Sequence, residues 1–378
     1  DPVLSYQPDA VELSLERNDL DFNTVATTPN QGGAAGGANS LGWNSPLYNA
    51  LVLLDASTAR AAFDQLSGEY HASQQTARID DSRYVREAMD QRLIEGSNDL
   101  EATHLEGTSV DAWAHAWGHW GTTDSDGNAG RLADNGDGLL IGADLPVGTQ
   151  GRVGITGGAS RDSLSIASRA SWGRLTSQWL GAFGGVEAGA FALRGGIAYA
   201  WDQVPGNREI DFPGYSDRLS SNAAGNTLTG FVEGAWTFKL AQGDIEPFVD
   251  LAHTRVQTDA STEAGGPAAL QASDATANVS FGTVGARGTF ELANHIDVHG
   301  ELGWQHAFGD TTPERTLQFV AGGSSFTEYG VPVAKNAGLG RLGVGWHQGN
   351  VAIDADYEGL SGSGIKDQAA RLSVEVAL

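Results

Sequence analysis

Beyond about residue 110, apolar side chains recur at every second position and show no helical spacing. Phe191, Leu193, Ile197, Tyr199 and Trp201 stand on one face of such a segment, with Arg194, Gly196, Ala198 and Asp202 on the other. Leu228, Val232, Trp236 and Phe238 alternate with Thr229, Glu233, Thr237 and Lys239. Ile296, Val298, Leu302, Trp304 and Phe308 alternate with Asp297, His299, Glu301 and Gln305. Near the end, Val351, Ile353 and Tyr357 oppose Asp354, Asp356 and Glu358, and Leu372, Val374, Val376 and Leu378 oppose Arg371, Ser373 and Glu375. A period of two is that of a strand, whose side chains point to alternate faces. Such segments begin near residues 110, 136, 150, 175, 189, 225, 243, 276, 294, 335, 350 and 367, twelve in all.

The connections between them alternate in length. Long ones span 123–135, 163–174, 204–224, 259–275 and 309–334, with a shorter one at 361–366; short ones fall at Gly148-Thr149, Ala188, Ala241-Gln242, Ala293 and Gly349. Outer-membrane barrels have an even strand number, short turns at the periplasmic end and longer loops outside. Trp117, Trp120, Trp201 and Trp346 lie near segment ends, as residues of an interfacial aromatic belt do. The expectation is an all-β chain forming a 12-stranded antiparallel transmembrane β-barrel. Alternation with turn residues also suits a soluble β-sandwich or β-helix, in which the same apolar faces make an inner core. The regular alternation of loop length favours the barrel.

Ahead of these segments the pattern changes. Val3 to Tyr6 and Val11 to Leu15 read as short strands, so residues 1–30 are taken as β-rich. The stretch 31–44 opens with QGGAAGGAN, which has no large side chain for a core and reads as a Gly-rich linker or turn. A helical region spans 45–107. Ser45 and Pro46 suit a helix cap and first position, Leu47, Ala50, Leu51 and Leu54 recur at helical spacing, and Ala56–Leu66 is stopped by Gly68. Residues 69–94 make a helix that is polar nearly all round, carrying Arg78, Arg83, Arg86 and Arg92 among several acids. A helix without an apolar stripe needs charge partners or water, and a polar tube would supply both. Residues 108–378 are assigned to the barrel.

Composition narrows the possibilities. The formal net charge is −25, which argues against nucleic acid as a partner. There is no cysteine, so disulfides, thiolate metal sites and a cysteine nucleophile are excluded. No stretch has the length of a spanning apolar helix, and no signal-peptide pattern opens the chain. The chain starts in mid-pattern at Asp1, as expected of a piece of something longer.

Several motifs resemble one family. The run Ser45 to Leu51, then Ala62 to Ser73, then Asp80 to Arg86 resemble the linker before the barrel in classical autotransporters of type Va secretion. Trp117-Gly118-His119-Trp120-Gly121, Phe212 to Leu219, Trp304 to Asp310 and Phe326 to Pro332 resemble that family's C-terminal translocator domain. Residues 1–30 resemble the end of a β-helical passenger, an autochaperone-like segment. The resemblance implies a twelve-stranded barrel in the Gram-negative outer membrane, with an N-terminal α-helix in the pore leading to an extracellular passenger. It also implies a monomer that lies among outer-membrane lipid and lipopolysaccharide, inserted by the barrel-assembly machinery with periplasmic chaperones. Family members usually end in Phe or Trp, and this chain ends in Leu378, so either Leu is tolerated there or the assembly signal is weakened.

If the apolar positions face lipid, Asp144, Asp202, Glu233, Asp297, Glu301, Asp354, Asp356, Glu358 and Glu375 face the lumen. The expectation is that Arg78, Arg83, Arg86 and Arg92 pair with such wall carboxylates and seal the pore after export; ordinary solvated helix charges are the plainer reading. The chain then anchors and exports its own passenger, with no nucleotide motif and no cofactor, so that passenger folding outside must supply the energy. Two other functions stay open: a soluble or surface-attached β-rich adhesin module, and an outer-membrane hydrolase. Enzyme signals are poor. There is no HExxH, and Gly359-Leu360-Ser361-Gly362-Ser363 places Ser where a nucleophile elbow needs Gly. Asp250 and His253 are three apart on a strand and so on opposite faces. Asp124 to Asn128 has part of a calcium loop's oxygen spacing without the distant Glu, so no metal site is assigned. Some autotransporter barrels cleave their passenger at an Asn inside the lumen, for which Asn44 and Asn49 are the candidates.

Overall fold

The computed structural model describes residues 2–15, 20–98, 110–293 and 295–377. The expected boundary between 107 and 108 and the terminal Leu378 lie outside the described residues. At the N-terminus β1 (Pro2–Tyr6) and β2 (Val11–Leu15) pair as an antiparallel hairpin. A 3-10 turn at Phe22–Val25 leads to α1 (Pro29–Ser40), α2 (Pro46–Leu51), α3 (Ala56–Leu66) and α4 (Tyr70–Asn98). Side chains start three of these helices by accepting from otherwise orphaned backbone N–H groups. Thr28 Oγ1 accepts from Gln31, Ser45 Oγ from Tyr48, and Asp55 Oδ1 from Ser57 and Thr58.

The strands follow: β3 (Asp111–Thr123), β4 (Leu132–Val147), β5 (Gly151–Ile166), β6 (Ser171–Ala188), β7 (Phe191–Phe212) and β8 (Tyr215–Trp236). Next come the short β9 (Phe238–Leu240), β10 (Gly243–Thr258), and two loop strands, β11 (Ser261–Thr262) and β12 (Leu270–Ala272). They are followed by β13 (Ala275–Ala293), β14 (Ile296–Gly309) and two more loop strands, β15 (Glu314–Phe319) and β16 (Phe326–Tyr329). The chain finishes with β17 (Asn336–Gln348), β18 (Val351–Gly362) and β19 (Ile365–Ala377). The twelve long strands pair antiparallel in sequence order, and β19 pairs with β3 from Ile365↔Thr123 to Ala377↔Asp111. The barrel is closed. No strand edge is left for lipid to desolvate.

The outward faces are apolar only where lipid would touch them. On β7 they run Phe191, Leu193, Gly195, Ile197, Tyr199 and Trp201, then change abruptly to Gln203, Pro205, Asn207, Glu209 and Asp211. Ten steps of about 3.3 Å at a tilt of about 40° give about 25 Å along the membrane normal, the height of an apolar band. Beyond Trp201, β7 and β8 continue as a hairpin outside the membrane. The expected long connection at 204–224 is therefore mostly paired strand, and that at 163–174 shrinks to residues 167–170. Among the described residues the apolar faces meet no second sheet, so the sandwich alternative falls. Trp120, Trp201 and Trp346 are outward and exposed, but Trp117 is buried in the lumen, stacked on Tyr84 at 5.9 Å. It sits an odd number of residues from Trp120, so the pleat turns the two rings to opposite sides.

Outside the membrane a second core forms. The sheet of β11, β12, β15 and β16, the β7–β8 hairpin tip and α1–α3 bury Ala34, Leu47, Phe63, Leu66, Leu270, Phe319 and Phe326 together. Residues 29–40 are thus a helix and not the Gly-rich linker expected there. A Cβ at Gly37 would lie 2.5 Å from the Phe326 ring, and one at Gly33 would lie 2.8 Å from Glu328 Oε1. Gly33 and Gly37 share one face of α1, and only a face without side chains lets β16 approach this closely. The large side chains of this core come from elsewhere in the chain.

Candidate functional site

Helix α4 runs down the lumen from the extracellular loops towards the periplasmic end, where β3 begins. Its 29 residues make a rod about 43 Å long, longer than the apolar band is high. Although polar all round, it is buried almost throughout, because the barrel wall surrounds it. It lies against β4–β8 and β10, where Met89 and Leu93 face Gly181 and Gly185. On the opposite side it stands off from the wall, and long side chains span the gap.

The four helix arginines reach different partners. Arg78 donates through Nε and Nη2 to Asp202 Oδ2 at 3.0 and 2.5 Å, and to Thr258 and two backbone carbonyls. Arg83 donates to Glu358 at 2.7 Å and to Asp367 at 2.8 Å, across the standing-off side. Arg92 donates to Asp144 at 2.6 and 3.0 Å and pairs with Glu375 and Asp111. Arg86 has no carboxylate within 4 Å among the described residues; it donates to the hydroxyls of Ser82, Thr229 and Thr254. A cavity of about 50 Å³ remains between Arg86 and Glu233, Asp250 and Glu301.

The other expected lumen carboxylates also face inward, where they meet arginines or a histidine of the wall or lie beside such a pair. Glu233 pairs with Arg194 and Arg287, and Glu301 with Arg287 and Arg341. Asp297 and Asp356 hold His299 at 3.2 and 2.9 Å, with Asp354 beside them. The wall arginines Arg152, Arg287 and Arg341 and the wall acids Asp111 and Asp367 were not singled out in the sequence. Their positions share the parity of the inward faces, the one signal that could have found them. Arg371 binds Glu87 and Glu358, and Arg287 binds Asp90 at 3.3 Å.

Three sequence candidates take other places. Asp250 faces the lumen, while His253 points outward to Ser280 at 2.8 Å, so they form no pair. Asp126 caps its own turn, accepting from Asn128 and Ala129, and Asn128 exchanges hydrogen bonds with Asn30 of α1. The loop latches a helix. Asn44 and Asn49 are exposed in the extracellular cap and not in the lumen, so no cleavage peptide is placed among the wall carboxylates.

The mouth is closed by further ion pairs. Glu69 accepts from Gly130 at 2.6 Å and from Arg169 at 3.0 Å. Burial opposes ionisation of Glu263, but Arg208 and His71 outweigh it and hold its carboxyl below the usual range. Glu328 is fully buried against α1, and neither of its oxygens has a hydrogen-bond partner among the described residues. Burial, with Glu69 nearby, pushes its carboxyl well above the ordinary 4.5. The folded state therefore binds a proton that the unfolded chain releases above that value, and stability falls as pH rises beyond it. Glu328→Gln is expected to stabilise the cap by at least about 1 kcal/mol near pH 8, with no gain near pH 4. Calorimetric melting of the pair at both pH values checks this; an equal difference at each would refute the protonated reading.

Residues 112–358 match the autotransporter β-domain family model. Two proteins of Serratia marcescens, each described as an extracellular serine protease, are 27% and 29% identical to the chain. The alignments cover 97% and 86% of this chain but 39% and 31% of theirs, so the chain spans well under half the length of these relatives. In fold it resembles the translocator domain of NalP from Neisseria meningitidis, with a TM-score of 0.64 at 17% identity, over 81% of this chain and 98% of the other. It also resembles the transport unit of AIDA-I from Escherichia coli, with a TM-score of 0.53 at 15% identity, over 77% and 98%.

Proposed function

This chain belongs to the autotransporter family, its barrel being the family's β-domain, and from that premise we propose that α4 is the seal left in the pore once the passenger has crossed. The barrel lies in the outer membrane with the passenger end outside. The observation that carries the proposal is the bracing of one buried helix by carboxylates of opposite walls: Asp202 and Asp144 on one side, Glu358 and Asp367 on the other. Solvated helix charges would not be held this way. Arg78, Arg83 and Arg92 fix the rotation and depth of α4, and Arg86 closes a hydroxyl-lined stretch between them.

The remaining parts follow the same reading. The chain exports and anchors its own N-terminal passenger, and the names of the Serratia relatives favour a protease there. The barrel contributes no catalysis, and passenger folding outside drives export. Insertion uses the barrel-assembly machinery and periplasmic chaperones. The expected division into 1–30, 31–44, 45–107 and 108–378 is refined: residues 29–66 belong with the extracellular cap. An epitope placed at Asp9, in the turn between β1 and β2, is expected to be reached by antibody on intact cells producing the protein. Detection only after permeabilising the outer membrane would reverse the assigned direction of the helix and the export reading with it.

A further inference from the structure

We propose that the extracellular half of the pore binds one divalent transition-metal cation, held by Asp81 of α4 and by His119, Asp134 and Asp162 of the wall. Each offers one ligand atom, and these atoms all lie within 4.8 Å of one another. Their residues are 7%, 4%, 9% and 2% exposed. His119 Nε2 lies 2.9 Å from Asp162 Oδ1 and 3.7 Å from Asp81 Oδ1. Asp81 Oδ2, Asp134 Oδ1 and Asp162 Oδ2 are buried without a hydrogen-bond partner. Most other inward carboxylates of this barrel, such as Asp144, Asp202 and Glu358, meet a guanidinium; among the described residues, no arginine or lysine lies within 4 Å of Asp81, Asp134 or Asp162. Three buried carboxylates around one imidazole carry more negative charge than they can satisfy among themselves. A cation at the centre answers it.

The surrounding wall is shaped for this. His119, Gly136 and Asp162 stand in one row across β3, β4 and β5. A Cβ at Gly136 would lie 1.7 Å from Asp162 Oδ1, so only glycine lets that carboxylate cross the middle strand to reach the imidazole. The other ring nitrogen, Nδ1, lies 3.6 Å from Asp367 Oδ1, and Asp367 is itself anchored by Arg83 and by the Tyr84 hydroxyl. A proton on Nδ1 facing Asp367 leaves Nε2 free as a ligand, the arrangement that orients metal-bound histidines. Four ligand atoms about 2.0–2.2 Å from one ion at tetrahedral angles sit about 3.3–3.6 Å apart, so the widest separation in the cluster must close by somewhat more than about 1 Å. Imidazole among the ligands favours a first-row ion such as Zn²⁺ over Mg²⁺ or Ca²⁺, which take oxygen. Bound there, the ion ties α4 to three wall strands. Metal binding stands or falls independently of the export reading.

The test uses the whole chain purified in detergent, stripped with a chelator, and titrated with Zn²⁺ alone in the presence of excess Ca²⁺ to occupy surface acids. One Zn²⁺ per chain is expected to survive gel filtration and to raise the melting temperature. Asp134→Asn and Asp162→Asn are expected to weaken binding by more than about 100-fold, beyond what loss of an orienting partner costs. Asp137→Asn, on the exposed face of the same strand, is expected to leave binding unchanged. Heat-modifiable migration confirms that each variant is a folded barrel, and Co²⁺ in place of Zn²⁺ reports the coordination geometry through its visible absorption. No retained Zn²⁺, or equal retention by all three variants, overturns the proposal.

Discussion

Ion conductance through the purified protein in planar bilayers is expected to rise severalfold when Arg83 is replaced by alanine. Arg83 crosses from α4 to the far wall, where the helix stands off, and it ends on two carboxylates from adjacent strands, Glu358 of β18 and Asp367 of β19. Its guanidinium also lies over the Tyr84 ring, 4.5 Å from the centroid. Truncation at Cβ removes the plug from this side and leaves a void lined by charge, which water enters readily. Stability is expected to fall less, because Glu358 keeps Arg371 and Arg341, and Asp367 keeps Tyr84. Arg86→Ala is expected to raise conductance less, since Arg86 donates only to hydroxyls, those of Ser82, Thr229 and Thr254, and lies over the Phe281 ring, with no carboxylate of the far wall to hold. Identical conductance for Arg83→Ala and the parent would refute the seal.

The largest loss of stability is expected from Arg78→Ala. Arg78 is among the most deeply buried side chains of the molecule and, among the described residues, supplies the one guanidinium that Asp202 has. Without it Asp202 keeps only the hydroxyls of Ser177 and Thr227. Removing one partner of a buried pair costs about 3–5 kcal/mol, mostly the penalty of the charge left behind. Asp202→Asn should be costly for the converse reason. The double variant should lose clearly less than the two single losses added, because neither charge is then stranded. The temperature at which the compact barrel is lost on a heat-modifiability gel ranks the four proteins. Additive losses would mean that the two side chains do not act as a pair.

Each strand's lipid-facing side was legible because contact with lipid is a local demand repeated every second residue. Phe191 through Trp201 could be assigned outward without knowing any neighbour, and Arg194 and Asp202 inward by default. Where β7 rises beyond the membrane that demand ceases, both faces become polar, and the paired strand from Gln203 onwards looked like a loop. Helix α1 (Pro29–Ser40), with Gly33 and Gly37 on its packed face, was missed for a related reason. Its packing partner, Phe326, is almost three hundred residues away, and a face of glycine carries no signal until something lies on it.

The sequence by itself determined that this chain closes into a lipid-facing barrel with an acidic lumen and offers that lumen an arginine-bearing helix, since periodicity and charge are properties of single segments. Only the tertiary structure decided that Arg78 meets Asp202 while Arg86 meets hydroxyls, and that Asp81 joins His119, Asp134 and Asp162. Those meetings depend on the depth and rotation of a rod inside a tube. A shift of one residue turns α4 by about 100° and gives every charge on it a different neighbour.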